Sequence, residues 1–354
     1  IKFLMVLVIT ICTNNQTAYS IEKIKIGLIV PLSGENSLIG ERIIKSVRMA
    51  LNKINDKKII VIPRDTKSNP IDALRVSKEL YKDGVRIIIG PVFNESNKYL
   101  DDLKDVTFIS FTNKLTNNPK NVISAGVNAI SQIQTIKKFN KKKNLSKAIF
   151  LIPKSEFKKE IEIAINKTKI KHKEVFYYDR EPTKLTKQIE NLTKYQIRKS
   201  NLENEIKRLE SLNFKDKEKK IQNLKKRDTL GSINFDSVVI ADFDENLKSV
   251  ATSLLYTDVS SKRIKYITLN QWFDKSLLKE VSLHPIYFPS INRKNYEIFM
   301  NDFRDIYGIN GDQLSFLSYD IIGLVYFLIY ENDFKISKKI FYKKNKFKGK
   351  IGVF

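Results

Sequence analysis

The sequence predicts an α/β protein: two Rossmann-like lobes, each a parallel sheet with flanking helices, joined by crossing segments and carrying a helical hairpin insertion. Three observations lead there. From residue 24 onward, apolar runs of strand length alternate with amphipathic stretches of helix length. The alternation closes near residue 127 and then restarts in the same order. The 354 residues, 42% hydrophobic, suit two cores better than one.

The first series opens with a strand, Ile24–Val30, which runs into Pro31-Leu32-Ser33-Gly34. A helix through Gly40 to Asn55 follows, then a strand over Ile59–Pro63 and a loop ending in Asn69-Pro70. The next helix reaches Lys82, and a strand over Val85–Ile89 stops at Gly90-Pro91. A fourth strand, Thr107–Phe111, ends in Thr112-Asn113, and Ser124–Val127 reads as a crossing strand. The second series has a helix over Ser131–Phe139, a strand over Ala148–Ile152, a helix over Phe157–Lys167 and a strand over Glu174–Tyr178. After an interruption come a strand (Asp236–Ala241), a helix (Glu245–Tyr256) and a strand (Lys265–Leu269). Tyr287–Phe288 reads as the second crossing segment, and helices over Tyr296–Tyr307 and Leu314–Tyr330 follow. Phe347–Phe354 has the look of a last strand. The expected division is a signal peptide over 1–20, a first lobe over 21–127 to which 289–335 return, and a second lobe over 128–288 to which 347–354 return.

The interruption spans Thr186–Gly231. Leu192, Tyr195, Leu202, Ile206, Leu209 and Leu212 fall mostly three or four residues apart among charged neighbours, and Ile221 and Leu224 continue the stripe. This spacing predicts a charged helical hairpin turning near Asn213-Phe214. Two roles fit it: a surface insertion packed on itself or on the second lobe, or a prong that meets a partner protein.

Charge and address narrow the function classes. The formal net charge is +25, from 64 Lys+Arg against 39 Asp+Glu. Such a balance suits a polyanion, but Lys is abundant along the whole chain and no recognition helix, RNP motif or zinc finger accompanies it. No nucleic-acid partner is expected. Lys2, the apolar run Phe3–Ile11 and Ala18-Tyr19-Ser20 follow the order of a secretory signal peptide, with cleavage after Ser20 and a periplasmic protein as the outcome. The run is short for a membrane span, and the mature chain is expected to have no transmembrane helix. Cys12 is the one cysteine, and the bulky Ile11 before it argues against a lipid anchor there.

The catalytic inventory is thin. His172 and His284 have no metal-ligand spacing, and no Walker loop, Gly-x-Ser-x-Gly elbow or Gly-x-Gly-x-x-Gly fingerprint occurs. The expectation is a protein that is not an enzyme, with no cofactor and no metal. Polar residues at strand ends are better placed for binding, because open parallel sheets recognise ligands beyond the carboxyl ends of their strands. The candidates are Ser33, Asn94, Ser96, Phe111, Thr112 and Asn113 from the first lobe, with Phe157, Asp242 and Trp272 from the second. Ser33, Asn94 and Ser96 stand before expected helices, where they could also serve as caps.

These residues resemble those of type I periplasmic binding proteins of the leucine-binding type. The likeness is carried by Ile26-Gly-Leu-Ile-Val-Pro-Leu-Ser-Gly34, Gly40, Ala50-Leu51 with Asn55, Gly90-Pro91 and Tyr319-Asp320. Ile62-Pro-Arg-Asp-Thr66, Ser110-Phe-Thr-Asn113, Gln271-Trp-Phe-Asp274 and Phe347-Lys-Gly-Lys-Ile-Gly352 are similar to the penicillin-binding protein activator branch. The resemblance implies two lobes around a cleft. The activator branch implies a regulator that stimulates peptidoglycan synthesis by docking on a penicillin-binding protein. The alternative is a solute-binding protein that delivers leucine, another branched-chain residue or a different amino acid to an ABC permease. Transport-branch ligand positions would fall on Ser96, Phe111, Thr112, Phe157 and Asp242.

Overall fold

The computed structural model describes residues 23–271, 275–343 and 347–352. The expected signal peptide and Trp272 lie outside them. Strands β1 (Ile24–Val30), β2 (Ile59–Asp65), β3 (Ile87–Ile89), β4 (Thr107–Ser110) and β5 (Val122–Ser124) form one parallel sheet in the order β2-β1-β3-β4-β5. Strands β6 (Ala148–Pro153), β7 (Glu174–Tyr178), β8 (Ser237–Ile240), β9 (Lys265–Thr268) and β10 (Ile286–Tyr287) form a second in the order β10-β9-β8-β6-β7. The two orders are the same pattern repeated. Every pairing is parallel, as Ile24 opposite Ile59 and Ala148 opposite Ser237 illustrate.

The expected crossing strands turn out to be the last strand of each sheet. Val122–Ser124 pairs with β4, and Ile286–Tyr287 pairs with β9, so the chain changes lobes just after each. Central strands are buried on both faces, which explains uninterrupted apolar runs such as Ala148–Pro153. Helices α1 (Ser37–Ile54) and α2 (Pro70–Lys82) cover the first sheet together with the later α10 (Gln313–Tyr330), and α9 (Arg293–Tyr307) packs outside on α1 and α10. Helices α3 (Ala129–Lys142), α4 (Lys158–Thr168), α5 (Pro182–Thr193) and α8 (Asp244–Tyr256) cover the second. Local chemistry sets their starts: Asn69 accepts from Ile71 N and Asp72 N ahead of α2, and Asp312 and Ser315 form a reciprocal capping box on α10.

α10 is, among the described residues, the helix long and apolar enough to cross a membrane by length and composition. Its surroundings make it a core helix. It packs along α1, where the buried Ser46 hydroxyl donates to Ser315 O at 2.5 Å. It also carries Asp320, 2% exposed, whose carboxylate accepts from Lys350 N at 2.9 Å and Ile351 N at 2.6 Å. Those two bonds correct the expectation for the end of the chain. Residues 347–352 lie on the first lobe's helices, with Phe347 against Phe327, and contain a single bridge at Lys348 in place of a strand joining the second lobe.

The hairpin is present but begins later than the sequence stripe suggests. Thr186–Thr193 belong to α5, whose Leu185 and Ile189 are buried in the second lobe's core. Lys194 then adopts a left-handed conformation (φ 53°) and breaks the helix. Helices α6 (Tyr195–Glu210) and α7 (Lys217–Lys225) form the hairpin, turning through residues 211–216. Arg198, 3% exposed, fixes its base: Nε donates to Thr193 O at 2.9 Å, Nη1 to Thr229 Oγ1 at 2.8 Å, and Nη2 to Thr257 O. α5 and α8 each run back from the carboxyl edge of the sheet, so an insertion anchored at Thr193 and Thr257 sits at the opposite pole.

Candidate functional site

In each sheet the first and third strands are neighbours while the second lies outside, so the crossovers depart in opposite directions and leave a crevice at their carboxyl ends. In the first lobe that crevice lies between the ends of β1 and β3. Two glycines allow the close packing there. A Cβ on Gly40 would meet Pro31 O at 1.7 Å, and Gly90, at φ +106°, would meet Ile29 O at 2.1 Å.

Ser33 is exposed and does not cap α1; its hydroxyl donates to Asp65 Oδ2 at 2.5 Å. Asp65 Oδ1 accepts from Leu32 N at 2.8 Å and Lys67 N at 2.9 Å. Burial works to raise the Asp65 carboxyl, but the Ser33 hydroxyl and these backbone donors prevail and hold it below its ordinary value. The helix expected after Gly90-Pro91 is a short 3-10 turn over Asn94–Asn97, without a side-chain cap. Asn94 instead accepts from the Thr112 hydroxyl at 3.3 Å. Ser96 is 1% exposed and its hydroxyl has no partner among the described residues. Phe111 is buried in the core, and Asn113 is exposed beside Thr112.

In the second lobe the crevice lies between the ends of β6 and β8. Half-buried Phe157, just before α4, meets Phe243 edge-on across it, with ring centroids 6.0 Å apart. Asp242 is 1% exposed and accepts four hydrogen bonds. Oδ2 takes the Tyr178 hydroxyl at 2.6 Å and Arg180 Nε at 3.1 Å; Oδ1 takes Arg180 Nη2 at 2.8 Å and Phe243 N at 3.0 Å. Burial, then the negative charge of Asp242, drives the Tyr178 hydroxyl well above its usual range, so it stays a donor. The hydrogen bond to Asp242 raises Arg180 as well, so the guanidinium is permanently charged.

The two crevices face one another through a contact across the lobes. Glu160, on the first turn of α4 and 3% exposed, accepts from Leu115 N (2.9 Å), Thr116 N (3.1 Å) and the Thr116 hydroxyl (2.6 Å). Leu115 packs against the second lobe's core. The loop carrying Thr112 and Asn113 is thereby held on the helix that follows Phe157. Ser33 and Asp242 have no direct link to this contact, and none of the described candidates lines a further, largely apolar cavity. That cavity, about 530 Å³, lies at the crossing segments, between Ala125–Asn128, Pro289–Ile291 and the α10 residues Leu317 and Leu324.

Sequence reasoning missed Tyr178, Arg180, Phe243 and Glu160 as site residues. For the first three the strand-end rule was a sufficient signal, since each lies within two residues of the end of β7 or just beyond β8. Glu160 gives no such signal, because a carboxylate in a first helical turn is commonplace.

Residues 23–170 match a family model described as periplasmic binding protein. A search of curated proteins returns no match. Among solved structures, the chain is similar to a putative branched-chain amino acid ABC transporter protein from Rhodospirillum rubrum, with 11% identity and a TM-score of 0.67 over 94% of this chain and 92% of that one. It is also similar to a branched-chain amino acid ABC transporter periplasmic ligand-binding protein from Burkholderia xenovorans, with 11% identity and a TM-score of 0.58 over 93% and 84%. A third is a solute-binding protein of an ABC transporter from Rhodopseudomonas palustris in complex with 3,4-dihydroxybenzoic acid, with 16% identity and a TM-score of 0.51 over 94% and 88%. The fold is that of type I periplasmic binding proteins, and the resemblance read from the sequence holds at that level.

Proposed function

We propose that this chain is an exported solute-binding protein that captures a small organic ligand between its lobes and presents it to a membrane permease. The observation that carries this reading is the opposition of two topological crevices, held face to face by Glu160 and the 115–116 backbone. The crevices supply hydroxyls, an amide and an aromatic pair, which suits orientation of a small polar molecule. The three neighbours named above are transporter proteins, two for branched-chain amino acids and one holding an aromatic acid. They favour solute capture over stimulation of a peptidoglycan synthase.

Thermal-shift measurements over amino acids and small carboxylic acids test this. A ligand at 100 times its Kd adds about 2.7 kcal/mol to apparent stability. One compound with a saturable rise in Tm supports the reading, and a flat response across the panel contradicts it. Regulation of another protein remains the second reading, favoured by the α6–α7 hairpin at the pole away from the cleft, where it leaves the crevices free. Capture of a penicillin-binding protein by the full chain, lost on removing residues 195–227, tests that reading.

A further inference from the structure

We infer that the second lobe selects a carboxylate lacking an α-ammonium group, held by Arg180 with its apolar body against Phe157 and Phe243. The inference rests on the solute-binding reading and names the ligand class. A carboxylate offers about four acceptor positions. In Asp242 all four are taken, by Tyr178, by Arg180 twice and by Phe243 N. Asp242, at the position where the resemblance expects a ligand contact, therefore has no acceptor left for an ammonium, and the other buried carboxylate nearby, Glu160, is engaged by Leu115 N, Thr116 N and the Thr116 hydroxyl. The other described carboxylates on these loops, Glu156, Asp179, Glu181 and Asp244, are exposed or half-exposed, and water competes with any cation there.

The same geometry leaves a cation available. Asp242 is 1% exposed whereas the Arg180 side chain is 42% exposed, so the ion pair has its negative end buried and its positive end open. Arg180 commits two of its five N–H groups to Asp242, in a fork that fixes the plane of the guanidinium. A planar cation held this way matches a carboxylate, because the second anion meets donors already oriented. Phe243 follows Asp242 directly and meets Phe157, which places an apolar, aromatic wall beside the charge. A short acid with an aryl or branched alkyl body fits both surfaces. Its α-amino counterpart would bring a cation toward Arg180 with no buried carboxylate, among the described residues of these loops, free to receive it.

Isothermal titration of the full chain with matched pairs, 3-phenylpropanoate against phenylalanine and 4-methylpentanoate against leucine, tests this. The expected result is that each acid binds at least tenfold more tightly than its amino counterpart. R180Q should weaken the acid at least tenfold, with R180K restoring part of the affinity and both variants keeping the wild-type circular dichroism. Tighter binding of either amino acid than of its matched acid would overturn the selectivity while leaving solute capture standing. Acid binding unchanged in R180Q would overturn the role of Arg180. No binding by any of the four compounds contradicts the inference as stated, whereas solute capture fails only if the wider thermal-shift panel is flat as well.

Discussion

Removing the Glu160 carboxylate should loosen the lobes. Glu160 accepts three hydrogen bonds, two of them from consecutive backbone N–H groups of the opposite lobe. A hydrogen bond to a charged group contributes about 1.5–3 kcal/mol, but Leu115 and Thr116 are only partly buried and recover water once the lobes part. A net value near 1 kcal/mol for each bond gives about 3 kcal/mol in total. At 1.36 kcal/mol per decade, E160A then shifts the balance toward separated lobes by roughly 150-fold. Small-angle scattering of wild type and E160A, with circular dichroism as a check on folding, reads this directly. An expanded, still folded particle is expected. An unchanged scattering profile in a folded variant would refute the idea that this contact holds the crevices together.

Arg198→Met should cost about 3 kcal/mol, because it strips donors from Thr193 O and Thr257 O at the hairpin base; urea unfolding followed at 222 nm measures it. Gly40→Ala should destabilise by about 3 kcal/mol, since the new methyl collides with Pro31 O, and a lowered Tm with an unaltered fold is the expected outcome. Asp65 is held below its ordinary value of 3.8, so its contribution to stability is present above that pH and fades as pH falls through the lower folded value. The drop in Tm below pH 4 should therefore be shallower in D65N than in the wild type.

Much of the fold was legible because its physics is local or periodic. Strands buried on both faces must be continuously apolar, and Ile26–Val30 and Ala148–Pro153 are. Helices with one covered face must repeat every three to four residues, as α1 and α9 do. The hairpin stripe was legible for the same reason, and its start was misplaced because α5 runs in phase with it until the single left-handed residue Lys194. The end of the chain was misread because nothing local to residues 347–352 reveals that Asp320, thirty residues earlier, supplies their acceptors.

The site was legible only as a set of strand ends. Thr112 and Asn94 do lie together, but Ser33 serves Asp65 and Phe111 serves the core. The chemistry of Asp242 depends on Tyr178 and Arg180, more than sixty residues away, and Asp179-Arg180-Glu181 reads in sequence as an ordinary charged turn. Pairings of that range leave no periodicity behind. The sequence therefore pointed to the strand ends as candidates, and the bonding around Asp242 emerges only from the fold.

The most direct test of the account is a distance between the lobes. Spin labels at exposed Asp101 in the first lobe and Glu245 in the second, with Cys12 replaced by Ser, report it by pulsed electron resonance. Saturation with the acid that gives the largest thermal shift should narrow the distance distribution and shift its mean, as expected for two lobes closing on a small molecule. A distribution indifferent to a compound that binds would contradict a cleft shared by both lobes.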